Sequence, residues 1–97
     1  MNIQAMMQQA RKLQKDLEKT TQEIDNTTYN YENANIAVEA TGNNRITKIE
    51  IKNEDVLEDA EMLSDIVLVA VNNVLDQIKK DKEQKLGKYT GGLGGLF

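Results

Sequence analysis

The apolar residues of this chain recur with a helical period at both ends and with a strand period in between. Through residues 2–26 they follow steps of three and four, and neither Gly nor Pro interrupts them, so a long helix is predicted. Its inner half is expected to pack well, and its apolar face suits a partner helix. The heptad positions are Ile3, Met6, Ala10, Leu13, Leu17 and Ile24, with Thr20 as the polar member.

Between residues 27 and 52 the period changes to two, which is typical of strands with one apolar face. Three such stretches centre on Tyr29 and Tyr31, on Val38, and on Ile49 and Ile51. Asn-rich turns at 33–35 and 42–44 separate them, since Asn and Gly tolerate left-handed backbone. The pattern predicts a three-stranded antiparallel meander that helices cover on its apolar side only.

The chain is organised around a second long helix, predicted to begin at Asp59 as N-cap and to stop at Gly87. Every residue from 66 to 71 is apolar, so the middle of this helix is apolar around its whole circumference. A chain of 97 residues has little else to bury it, which favours a second copy. The predicted dimer interface consists of Leu63, Ile66, Val67, Ala70, Val71 and Val74.

The predicted fold is therefore α+β, a dimeric α-β-β-β-α chain with one domain at residues 1–88. Beyond Ile78 the second helix has no apolar face left, so its lysine-rich end is expected to project into water. Residues 89–97 contain four glycines and are expected to form a flexible tail. A run of six apolar residues is far short of the ~20 that span a bilayer, so no membrane partner is expected.

The composition argues against most enzyme classes. There is no Cys and no His, which removes disulfides, thiolate nucleophiles, zinc-finger spacing and imidazole catalysis. Acids near the start of the second helix are explained by its dipole, so no metal is expected. The Gly-rich tail lacks the surroundings of a phosphate loop. We expect no enzyme, no cofactor and no small-molecule substrate, and, without a charged leader, a cytoplasmic location.

The net charge of −4 argues at first against a nucleic-acid partner, but the charge is unevenly distributed. Residues 50–65 hold seven acids against one lysine, a balance of −6. Residues 11–19 hold four cations against two acids, and residues 76–88 hold five against three, each a balance of +2. Taken alone, these cations are expected to solvate exposed helix faces.

One stretch carries a family resemblance. Residues 56–67 read VLEDAEMLSDIV and residues 70–74 read AVNNV, while 36–42 and 46–51 form a hairpin of matching pattern. This combination resembles the YbaB/EbfC family of bacterial nucleoid-associated DNA-binding proteins. The chain departs from that pattern at Asn33 and Asn35, where many members have glycine, and at Lys52-Asn53, where a proline often follows the third strand.

The resemblance implies a small cytoplasmic homodimer, associated with the nucleoid, whose projecting helices engage duplex DNA. It reverses the expectation for the cations, since phosphate contact needs only flexible positive side chains. The implied DNA-binding residues are Arg11, Lys12, Lys15, Lys19, Lys79, Lys80, Lys82 and Lys85.

Two alternatives stay open. The chain is either such a DNA-binding dimer or a helical, chaperone-like adaptor whose heptad face and Gly-Leu tail hold protein partners. Asn72 and Asn73 lie inside the apolar helix and either form an inter-chain hydrogen bond or face solvent.

Overall fold

A computed structural model describes residues 2–90, and its order of helix, three strands and helix confirms the predicted α-β-β-β-α order of one protomer. The elements of this part of the chain are helix α1 (Ile3–Asp25), strands β1 (Thr28–Glu32), β2 (Ile36–Thr41) and β3 (Arg45–Ile51), a 3₁₀ turn (Glu54–Glu58) and helix α2 (Ala60–Thr90).

Both helices begin at side chains that cap them. Asn2 accepts a hydrogen bond from the backbone N–H of Ala5 at 3.2 Å, and Asp59 accepts one from Met62 at 3.1 Å. Each such cap satisfies a backbone donor that the first helical turn leaves without a partner, a contribution of about 1 kcal/mol. The predicted N-cap at Asp59 is therefore confirmed.

The sheet is the predicted antiparallel meander, with β2 between β1 and β3. In the first turn the Asn33 side chain accepts hydrogen bonds from the backbone N–H groups of Asn35, at 2.8 Å, and Ile36, at 3.1 Å. In the second turn Asn44 has a φ of 62°, a left-handed conformation that Asn tolerates. Both predicted turns are confirmed.

The core lies between one face of the sheet and one face of α2. It is built from Tyr29, Ile36, Val38 and Ala40 of the sheet and Ala70, Val74 and Ile78 of α2. The opposite face of the sheet carries polar pairs, such as the hydrogen bond from Thr47 to Glu39 at 2.7 Å. Helix α2 thus covers the apolar side of β1 and β2, whereas Ile49 on the same side of β3 remains 48% exposed.

The predicted end of α2 at Gly87 is wrong, because the helix runs through Gly87 to Thr90. A glycine lowers helix stability by only about 1 kcal/mol, and here the segment has a packing partner. Leu86 is buried on the part of α2 that packs beside α1, and the hydroxyls of Thr20 and Tyr89 lie 3.4 Å apart. The lysine-rich end of α2 therefore does not simply project into water.

The element that does project is the first half of α1. Residues 3–15, which we name the arm, are all exposed, while Leu17, Thr20 and Thr21 are half-buried and Ile24 is buried. The radius of gyration is 19.0 Å, against about 13 Å for a compact chain of this length. The packed inner half of α1 was expected from the sequence. Residues 91–97 of the predicted flexible tail lie outside the described residues.

Gly42 sets the close approach of α1 to the turn between β2 and β3. A Cβ at Gly42 would lie 1.8 Å from the carbonyl oxygen of Ile24, which is backbone and has no freedom to rotate away. We expect Gly42→Ala to lower the free energy of unfolding by about 3 kcal/mol, measured by urea denaturation at fixed protein concentration.

Gly87→Ala is the matched control. A Cβ there would meet no atom of the described residues within 4 Å, and alanine favours the helix. This variant should raise the free energy of unfolding by about 1 kcal/mol. Equal effects of the two substitutions would contradict the packing of Ile24 against Gly42.

Candidate nucleic-acid interface

The arm presents cations without competing acids. Arg11, Lys12 and Lys15 are exposed there, and Lys19 is exposed just beyond it. None of these four side chains is in an ion pair with another residue of the described range 2–90. Residues 3–15 contain no Asp or Glu. The arm is therefore a projecting surface with an uncompensated positive charge.

The cations of α2 are less uniform. Lys79 and Lys80 are exposed, whereas Lys82 is half-buried. Lys85 pairs with Asp81 at 3.1 Å and is 52% exposed. Lys88, which is not among the predicted DNA-binding residues, lies over the ring of Tyr89 at 5.0 Å from its centre.

The structure brings the two groups of cations to the same end of the molecule. The hydroxyl contact between Thr20 and Tyr89 fixes α1 beside the last turns of α2, so Lys19 and Lys88 each lie one residue from that contact. The sequence separates these groups by most of the chain, and only the packing of the two helices joins them.

The acidic residues lie at the other end of α2. Glu58, Asp59, Glu61 and Asp65 are exposed around its first turns. At ~1.5 Å per residue, Asp65 lies about 30 Å along the helix from Lys85. Exposed charges farther apart than ~8–10 Å are largely screened at physiological salt. The acidic end therefore does not cancel the positive potential of the arm, although the chain as a whole is acidic.

A small hydrogen-bonded group joins α2 to the sheet. The Tyr29 hydroxyl donates to the carboxylate oxygen of Asp81 that also pairs with Lys85. Burial, followed by this hydrogen bond and the Asp81 charge, raises the pKa of Tyr29 to about 12. The hydrogen bond from Tyr29, with a further contribution from Lys85, holds the pKa of Asp81 below its usual value. An ionised Asp81 thus offsets part of the positive charge that Lys85 adds to this surface.

The residues predicted for a dimer interface separate into two groups. Ala70 and Val74 are fully buried beneath the sheet of the same protomer. Leu63, Ile66, Val67 and Val71 are half-buried.

The exposed apolar surface of α2 includes side chains that were not assigned to the predicted interface. Leu68 and Val69 are each 60% exposed, and Met62 is 50% exposed. Successive residues of a helix point about 100° apart, so Leu68 and Val69 lie on different flanks. Leu68 borders an open groove with Leu63, Val67 and Val71. Both side chains belong to the apolar run from 66 to 71, which is the sequence feature that indicates a surface to be covered.

The described residues contain neither a membrane-spanning helix nor a cluster of metal ligands. In the described part of the chain no helix is long and apolar enough to cross a membrane. Within residues 2–90, no group of three or more carboxylates converges as a metal site would require. Tyr29 and Tyr31 lie in the sheet, away from the exposed arm, so they offer it no platform for stacking bases.

The architecture thus defines a class of small α-β-β-β-α proteins that display cations on a projecting helix. The sequence profile of the YbaB/EbfC DNA-binding family matches residues 1–93. This chain belongs to the YbaB/EbfC DNA-binding family, which is defined by DNA binding and not by a catalysed reaction.

Bacterial relatives are similar over nearly their whole length. A nucleoid-associated protein of Lactococcus lactis subsp. lactis is 47% identical, over 96% of this chain and 97% of the relative. Nucleoid-associated proteins of Enterococcus faecalis and Ligilactobacillus salivarius are 41% and 38% identical, over 98% and 99% of this chain and 94% and 95% of the relatives. The resemblance drawn from residues 36–74 is confirmed.

The Asp81 carboxylate gives the stability of the fold a predicted pH dependence. We expect Asp81→Asn to lower the free energy of unfolding by about 1 kcal/mol at pH 7, since it weakens hydrogen bonds to a charged group. The pKa of Asp81 is lower in the folded state than in the unfolded state. Its contribution is therefore complete above the unfolded pKa of about 3.9 and is lost as the pH falls through the folded pKa.

Urea denaturation of wild type and Asp81→Asn at pH 7, 4 and 2.5 measures this contribution. The difference between the two proteins should be largest at pH 7 and should shrink below about pH 4. A difference that is the same at pH 7 and pH 2.5 would show that the Asp81 charge contributes nothing.

Proposed function

We propose that this protein is a non-enzymatic, nucleoid-associated homodimer that binds duplex DNA through the arm and the basic end of α2. The observation that carries the proposal is the exposed, unpaired set of cations on the arm, far from the acidic group at the N-terminal end of α2. Membership of a DNA-binding family and the nucleoid-associated names of the relatives support it. The same names support a location on the nucleoid within the cytoplasm.

The chemistry of the arm favours the DNA backbone as ligand. Lysine and arginine side chains bind phosphates through charge and release condensed counterions, which makes affinity fall steeply with salt. Phosphate contacts position a protein on the duplex and carry no direct sequence information. The arm contains no aromatic residue, so base stacking of single strands is not favoured.

The second part of the proposal is the dimer. Three large apolar side chains of α2, namely Met62, Leu68 and Val69, are half exposed or more in the protomer, and they lie on different flanks of the helix. Removing apolar surface from water contributes roughly 25 cal/mol per Å². We infer that a second copy covers this surface around Leu63, Val67, Leu68 and Val71, where the groove lies. A dimer then presents two arms to one duplex.

A second candidate function has its own support. The arm also exposes apolar side chains, with Ile3 70%, Met6 53%, Met7 50% and Leu13 56% exposed. Such a face suits a helical protein partner, as an adaptor would require. The two functions differ in their response to salt, because apolar binding does not weaken as counterions are added.

A salt-titrated binding assay with duplex DNA tests the DNA-binding proposal. Wild type should bind at low salt and weaken steeply as salt rises. Lys12→Gln/Lys15→Gln should make the slope of log K against log[salt] shallower by about 1.8 per arm, because each phosphate contact contributes ~0.9. Lack of binding at low ionic strength, or binding insensitive to salt, would reject DNA as the ligand.

The matched control is Lys48→Gln/Lys52→Gln. It removes the same two charges from β3 and the residue after it, where both lysines pair with glutamates. This variant should keep the wild-type slope. If both double variants behave alike, net charge alone governs binding and the arm is not the contact surface.

Sedimentation velocity at micromolar concentration tests the dimer. Wild type should sediment at twice the protomer mass of 10.9 kDa. Leu68→Asp should sediment as a monomer with unchanged helical circular dichroism, because the new carboxylate is solvated in the protomer and buried at the proposed interface. Leu13→Asp, on the exposed arm, is the control and should remain a dimer. A monomeric wild type, or a dimeric Leu68→Asp, would refute the interface.

A further inference from the structure

The direction of the arm depends on where α2 leaves the sheet. Ile78 is fully buried in the core, and Gln77 donates a hydrogen bond to the backbone oxygen of Asn30 at 2.9 Å. One turn further along α2, Asp81 accepts the hydrogen bond from Tyr29 of β1. Among the described residues this is the last polar contact between α2 and the sheet. Beyond it, α2 packs beside α1.

Helix α1 follows whatever direction this end of α2 takes. Leu86 is 3% exposed, and Tyr89 meets Thr20, so the last turns of α2 are the surface against which the inner half of α1 rests. The other support of α1 is its C-terminal end, where Thr27 and Gly42 share a backbone hydrogen bond of 3.1 Å. Two supports thus fix the angle of the arm, and Asp81 belongs to one of them.

The geometry makes the arm a long lever on a short base. From Ile24 to Ile3, α1 extends about 32 Å at ~1.5 Å per residue. A rotation of about 10° at its base would therefore move the tip by about 6 Å and Arg11, about 20 Å from Ile24, by about 3 Å. Successive phosphates along one DNA strand are separated by ~3.4 Å along the helix axis. A small change at the base is therefore enough to move Arg11, the outermost arm cation, by about the axial spacing of one phosphate.

We propose that Tyr29 and Asp81 are positioning residues that fix the angle at which the arm leaves the sheet. Neither side chain is required to touch DNA. Asp81 anchors α2 to β1 through Tyr29, and Lys85 bridges back to the same carboxylate from the next turn. An acid is thereby retained among the lysines of a basic surface, where it opposes DNA electrostatically. The proposal rests on the proposed function in one respect, since one of its two tests detects a change in the arm angle through DNA binding.

This role predicts an effect of opposite sign to simple electrostatics. Asp81→Asn removes one negative charge and releases Lys85, so charge alone predicts tighter DNA binding. A positioning role predicts weaker binding, by at least threefold at low salt, and a shallower salt slope. Asp76→Asn is the control, because Asp76 is an exposed acid on the same helix that no ion pair holds within the described residues. It should bind DNA as tightly as wild type or tighter.

A distance measurement tests the arm angle without DNA. The chain has no cysteine, so Gln8→Cys on the arm and Ala34→Cys in the first turn give two unique spin-label sites. Labelled protein is diluted with unlabelled protein so that only distances within one protomer are recorded. The double electron–electron resonance distance distribution should be narrow for the otherwise wild-type chain. It should broaden or shift by several Å in Asp81→Asn. The same change is expected in Tyr29→Phe, which keeps the aromatic ring and the Asp81 charge.

The outcomes separate the two proposals. Unchanged distance distributions in both variants, with circular dichroism showing folded protein, would overturn the positioning role. Tighter DNA binding by Asp81→Asn would overturn it as well. If neither the wild type nor the variants bind DNA while the distances broaden as expected, the DNA-binding function fails and the positioning of the arm stands.

Discussion

The packing of Ala70, Val74 and Ile78 against the apolar face of the sheet is the interaction on which the rest of the structure depends. A three-stranded sheet offers only one apolar face, and α2 is 31 residues long, so the sheet buries one stripe of its middle. The other roles of α2 depend on the parts of its surface that the sheet leaves uncovered. Its flanks leave Leu68 and Val69 exposed, and its last turns support α1.

The separation of charge along α2 explains how an acidic protein can present a basic surface. Acids lie near the N-terminal end of the helix, where its dipole favours them, and lysines lie toward the C-terminal end. The length of the helix keeps the two groups beyond the reach of each other's field at physiological salt. The arm then adds its cations to the lysine-rich end. A net charge averaged over the whole chain conceals this arrangement.

The sequence predicts the elements well because they rest on local chemistry. The cap at Asp59, the turns around Asn33 and Asn44, and the period-two strands all depend on residues close together in the chain. The predicted stop at Gly87 is wrong for a reason that is not local. Leu86 is one apolar residue in a lysine-rich stretch, and α1, which it packs beside, lies at the other end of the chain.

The site shows the same division. The cations of the arm can be identified from the sequence alone, because residues 3–15 contain no Asp or Glu that could pair with them. In the sequence, Asp81 is only one acid among lysines, because its partner Tyr29 lies in a distant strand. The exposed flanks of α2 fall between these cases. The apolar run indicates that some surface must be covered, and the structure shows which side chains the sheet does not reach.

The central claim is that DNA contacts the end of the molecule where the arm and the last turns of α2 meet, and avoids the acidic end. Titration of the isotopically labelled protein with a short DNA duplex, followed by amide NMR spectra, tests it residue by residue. We expect chemical-shift changes to concentrate in residues 11–19 and 79–88, with little change in residues 54–65. Changes centred on residues 54–65 or on the outer face of the sheet, or no changes at all, would contradict the account.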